Sequence, residues 1–177
     1  MGARGRKSPP EEAKKLLAEL HITRQPVPVE RVARHLGATV RYSPFDGDIS
    51  GIIHIKDGIP IIGVNSLHPP NRQRFTVAHE CGHLVLHREL ITHEVHVDKK
   101  FAVLRRDDVS ATGKEKREIQ ANQFAAELIM PHAFLLQALG NDMIDIDDSE
   151  LIMRLAREFK VSTDAMKIRM TNLFASL

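Results

Sequence analysis

The stretch RFTVAHECGHLVLH, Arg74–His87, decides how this chain is read. It sets His79, Glu80 and His83 in the pattern H-E-x-x-H, inside a segment of helical periodicity. Val77, Cys81, Leu84 and Val85 make one apolar stripe, and His79, His83 and His87 make another. On a helix, positions four apart share a face, separated by roughly 6 Å along the axis. His79 and His83 can therefore aim ring nitrogens at one point. The plain alternative is a pair of core histidines bonded to backbone or water. Two imidazoles buried without such partners cost free energy, which counts against it. The pattern alone turns up in roughly 4 of 100 shuffled chains of this composition, so its surroundings have to carry the reading.

A divalent cation supplies the missing partner. Zn²⁺ takes imidazole nitrogen at about 2.0–2.1 Å, and its catalytic sites keep three protein ligands and one position for water, whose pKa falls to about 7. Glu80 lies one residue off the ligand stripe. It is placed to take a proton from an attacking water and to pass it to the leaving amine. The third ligand is open on spacing alone, with Glu118, His87, His93 and His96 available. Glu118 shares a helical stripe with Asn122, Ala125/Ala126 and Ile129, and the two alanines permit close approach to the histidine helix. Asn122 would then hydrogen-bond behind the metal ligands. A solvated charge at a helix start is the equal alternative for Glu118. His87 continues the histidine stripe a turn further on, a candidate with Asn122 to stand behind the metal ligands, although interaction with the helix dipole is its simpler role. His93 and His96 read as exposed loop residues.

Composition narrows the function classes. With 177 residues, 42% hydrophobic and 27% charged, the chain suits one ordinary folded domain. No apolar run is long enough to span a bilayer, and the basic start MGARGRKSPP has no apolar stretch behind it. The single cysteine, Cys81, permits no internal disulfide and fits a reducing compartment, so a cytoplasmic location is expected. Cys81 itself reads as a small buried hydrophobe. A net charge of +2, one tyrosine and no tryptophan give no footing for nucleic-acid binding.

The order of elements completes the outline. Residues 1–8 read as a flexible basic tail. Helices are expected from Ser8-Pro9-Pro10 to about Leu20 and from Val29 to Leu36, the second ended by Gly37. Ala38–Tyr42, Ile49–Ile55 and Ile59–Val64 read as three short strands of a small antiparallel sheet, with Asp57-Gly58 as a hairpin turn. Residues 88–113 read as a long charged surface loop. Lys114–Met130 is a second strong helix stopped by Pro131, another follows to Leu139, and a pair closes the chain at Ser149–Phe159 and Ser162–Phe174. The expected division is a domain over residues 9–140 and a helical extension over residues 141–177 packed upon it.

RFTVAHECGHLVLH followed by EKREIQANQFAAELIMP resembles the ImmA/IrrE family of metallo-endopeptidases. The family pattern is roughly R-F-[ST]-x-A-H-E-x-x-H-x-x-x-H, then E-x-x-A-N-x-F-A-A-x-[IL]-[IL]-M-P. Arg74, Phe75, Thr76, Ala78, His79, Glu80, His83 and His87 match the first part. Glu118, Ala121, Asn122, Phe124, Ala125, Ala126, Met130 and Pro131 match the second. In element order the likeness covers about residues 28–135, and Cys81 departs from it where the family often has leucine. The resemblance implies a gluzincin-like site with Glu118 as third ligand and Glu80 as general base. It also implies an α+β, minimal zincin-like fold, with helices on a small, mostly antiparallel sheet and a helical C-terminal extension. The implied activity is zinc-dependent cleavage of an internal peptide bond in a helix-turn-helix repressor. One Zn²⁺ is the expected cofactor, and Mn²⁺ suits the same His₂Glu donors.

Two further expectations concern partners. A substrate strand could add to an open sheet edge. Ser50–Ile55 is the candidate edge, with Gly51 allowing close backbone approach beside Ile52 and Ile53. Tyr42, His54 and Arg105 or Arg106 are candidates to stabilise the oxyanion. The tail around Leu155–Ala165 has helix-turn-helix character, and a DNA reader would present Thr163, Lys167 and Arg169. Apolar Met166, Ile168 and Met170 favour packing instead. A DNA-binding regulator and a non-cleaving zinc module are the rival classes.

Overall fold

A computed structural model describes residues 8–91, 96–98, 113–140 and 148–175. The fold is α+β, a four-stranded mixed sheet covered by helices, with a helical C-terminal part. Helix α1 spans Pro9–Glu19 and α2 spans Val29–His35. Strands β1 (Thr39–Ser43), β2 (Gly51–Lys56) and β3 (Ile59–Asn65) follow. β2 and β3 form the expected antiparallel hairpin. Asp57 and Gly58 both take positive φ at its turn, which matches the right-handed twist of the flanking strands.

The sheet departs from the expected antiparallel series in two ways. β1 pairs with β3 in parallel, because the chain crosses over through residues 44–50 before β2 returns. Asn65 ties that crossover down. Its Nδ2 donates to the Ile49 carbonyl at 2.8 Å, and its Oδ1 accepts from the Leu67 backbone at 3.0 Å. The Arg72 guanidinium donates to Ser50 Oγ at 2.8 Å, which seats the start of β2 against the next helix.

That helix, α3, spans Pro70–Leu86 and carries the H-E-x-x-H. The second departure lies in the region expected to be loop. It holds a short helix, α4 (Arg88–Ile91), and a fourth strand, β4 (His96–Asp98), antiparallel to β2. The strand order is therefore β1-β3-β2-β4. Charged neighbours give this strand the look of a loop, and its pairing with β2 defines it; Arg105 and Arg106 lie outside the described residues.

Helix α5 (Gly113–Ile129) packs against α3. Helix α6 (His132–Leu139) starts after Pro131 and is closed by Gly140. Ala125 and Ala126 are buried as expected, but the closest approach is set by Gly82. A Cβ there would lie 3.1 Å from the Ala121 carbonyl oxygen and 3.1 Å from the Phe124 ring. Gly82→Val should therefore push α3 and α5 apart. Overpacking of this kind costs about 1–3 kcal/mol, which a lower melting temperature by circular dichroism would register.

Helices α7 (Ser149–Phe159) and α8 (Thr163–Phe174) join the same hydrophobic cluster through Leu155, Phe159, Met166 and Met170. Arg169 is engaged by the Glu127 carboxylate and by the Met130 carbonyl at 3.1 Å. It holds α8 onto the end of α5 and is not presented as a DNA reader would present it. No described helix is long and apolar enough to cross a membrane.

Candidate metal centre

From Thr76 to Leu84, α3 is buried on every side, so its histidines and glutamate are enclosed between sheet and α5. The α3–α5 packing brings Glu118 over the two histidines. His79 Nε2 and His83 Nε2 stand 3.0 Å apart. Glu118 Oε2 lies 3.3 Å from His79 Nε2, and Oε1 lies 3.5 Å from His83 Nε2. Tetrahedral donors held 2.0–2.1 Å from a common ion stand about 3.3 Å from one another. These side chains thus have both the donor chemistry and the spacing of a zinc site.

The protonation states agree with that fit. Asn122 Oδ1 accepts from His79 Nδ1 at 2.9 Å. An amide oxygen only accepts, so Nδ1 carries the hydrogen and Nε2 keeps its lone pair for the cluster. Burial pushes the His83 pKa down to about 3, against an opposing pull from Glu118 and with help from His79. The ring is therefore neutral, the form that ligates. Burial alone would raise the Glu118 pKa, but the facing imidazoles of His79, His83 and His96 outweigh it and hold the carboxyl below its usual range.

Glu80 points from α3 toward the start of β2. A Cβ built on Gly51 would lie 2.7 Å from Glu80 Oε1 and 2.5 Å from Thr76 Cγ2. Glycine at position 51 therefore makes room for this carboxylate. Gly51→Ala should displace Glu80 while leaving the metal donors in place. A misplacement near 1 Å costs about 100-fold in turnover, so activity should fall at unchanged zinc content, measured by atomic absorption.

Two expectations need correction. β2 is not a free edge, since β4 pairs with it over Gly51, Ile52 and Ile53. Ile53 is wholly buried, and Ile52 faces the opposite side of the sheet by the alternation of strand side chains. His96 is no exposed loop residue. It stands on β4 with Nε2 3.1 Å from Glu118 Oε1 and its ring 4.2 Å from that of His83. The signal available in sequence was the alternation Val95-His96-Val97. His93 lies outside the described residues. His87 caps α3, its ring 5.5 Å from that of His83 and outside the group of converging donors. Burial lowers its pKa from the usual imidazole value.

The oxyanion candidates also disperse. Tyr42 donates to Glu30 at 2.8 Å from the far edge of the sheet. Its pKa is pushed up to about 12 by burial and by that glutamate. His54 lines a shallow groove with Arg41, Phe45 and Lys56 on the sheet face away from α3.

No curated protein sequence matches the chain at a significant level. Among solved structures, it is similar to a Mycobacterium tuberculosis transcriptional regulator, with 18% identity and a TM-score of 0.59. That match takes in 92% of this chain but only 46% of the other protein, so the chain spans under half its length. The likeness is one of fold. The model of the IrrE N-terminal-like domain, Peptidase_M78, matches residues 33–171, which run from β1 into α8 and take in every converging donor. Motif, donor geometry and family model agree, and the chain belongs to the IrrE N-terminal-like family of the M78 peptidases.

Proposed function

We propose that this protein is a zinc-dependent endopeptidase. The observation that carries the reading is the convergence of His79, His83 and Glu118 from two helices at tetrahedral spacing, with Glu80 lodged against Gly51 beside them. His79, His83 and Glu118 would hold the ion. When bound, it supplies Lewis acidity, polarising a carbonyl and making water a better nucleophile. Glu80 accepts the proton of the attacking water as its oxygen bonds to the carbonyl carbon. The same carboxyl then delivers that proton to the amine nitrogen as the C–N bond breaks. Asn122 holds the His79 ring in the ligating tautomer.

The substrate, on the strength of the family resemblance, is a helix-turn-helix repressor cut within its chain. The commitment of Arg169 to Glu127 supports cleavage over direct DNA binding. The test is incubation of purified protein with a candidate repressor, with zinc and with a chelator, followed by mass spectrometry. Fragments that appear only with metal are expected. Metal-independent retardation of promoter DNA, with the repressor left intact, would instead support the regulator reading.

A further inference from the structure

His96 reaches the cluster from a third element, the strand that also covers β2. Its Nε2 belongs to the group of four donors, with His79, His83 and Glu118, whose ligand atoms all lie within 4.8 Å of one another. His96 Nε2 and Glu118 Oε1 are only 3.1 Å apart. Both atoms are buried, and their contact falls short of a well-directed hydrogen bond. Two ligand atoms side by side at this spacing suit a shared cation. His96 stands on a strand, His96–Asp98, that pairs antiparallel with β2. Its pairs are Gly51 with Asp98, Ile52 with Val97 and Ile53 with His96. In the order β1-β3-β2-β4 this strand lies at the edge with β2 as its one described neighbour, and it covers the start of β2, where Gly51 meets Glu80.

We propose that His96 is a fourth protein ligand and that β4 is a displaceable cover. With β4 paired to β2, three imidazoles and one carboxylate close the coordination sphere against water. An extended peptide that takes the β2 edge removes the strand and the ligand together, so the resting protein is latent and substrate opens it. This rests on the metallopeptidase reading above and adds its regulation.

The test uses the full chain loaded with Zn²⁺ or Co²⁺ alone. Zinc X-ray absorption should count three imidazoles in the wild type and two in His96→Ala. Zinc affinity of that variant should fall by roughly tenfold or more, since even partners behind a ligand are worth 10- to 100-fold. The visible spectrum of the Co²⁺ wild type should resist acetohydroxamate, and that of His96→Ala should shift. His96→Gln separates coordination from mere hydrogen bonding to Glu118; wild-type affinity and resistance in that variant would overturn ligation. Val97→Pro keeps the histidine but fixes φ near about −65°, away from strand values. It should open the site to hydroxamate, and a closed site in a folded variant would overturn the cover. Two imidazoles and full hydroxamate access in the wild type would overturn the proposal while sparing the metallopeptidase reading. A wild type that takes up no zinc would overturn that reading itself.

Discussion

Glu80→Gln is expected to bind zinc as the wild type does and to lose peptide hydrolysis by about 10²–10⁴-fold, the usual worth of a positioned general base. The amide has nearly the shape of the carboxylate, so it should fit the space that Gly51 leaves against α3. It cannot accept the proton of the attacking water, nor deliver one to the departing amine. Glu80 is fully buried within α3 and lies off the ligand stripe, so the change leaves His79, His83 and Glu118 untouched. Zinc content by atomic absorption and turnover of the cleaved repressor are the two measurements. Loss of zinc in step with activity would make Glu80 a ligand or a structural prop. Retained turnover would remove it from the chemistry.

His79→Ala should lose both metal and activity. The substitution deletes one of the closely spaced donors and leaves the buried Asn122 amide without its 2.9 Å partner. Changes to groups behind a ligand already weaken metal affinity by 10- to 100-fold. Loss of the ligand itself should exceed about 100-fold on that scale. Asn122→Ala should fall in the intermediate range, because His79 remains but its tautomer and ring orientation are no longer held. Competition with a chromophoric chelator orders the three proteins. Equal affinity for wild type and His79→Ala would exclude the imidazole from the metal centre. The fold should survive in both variants, since Phe124, Leu128 and Ile53 still fill the core around α3.

Much of the local structure is legible in the chain itself. Periodicity marks α3 and α5, Asp57-Gly58 marks the β2–β3 turn, and Pro131 and Gly37 end their helices. The same helical repeat places His79 and His83 on one face and Glu80 beside it. Glu118 stands out through the family motif alone, because a stripe on a separate helix does not say what that helix packs against. Residues 88–113 read as loop for a related reason: charge density describes solvation, while His96–Asp98 is strand through its pairing with β2.

The residues alone determined a helix with two imidazoles on one face and a carboxylate next to them, because a 3.6-residue repeat fixes neighbours within a turn or two. Tertiary structure decided everything that comes from elsewhere: Glu118 across the contact that Gly82 permits, Gly51 against Glu80, and His96 from a strand paired to β2. These positions are dozens of residues apart in some cases, and no periodic rule links them. Only the close packing of α3 between sheet and α5 sets which donors meet and which, like His87 and Tyr42, are left outside.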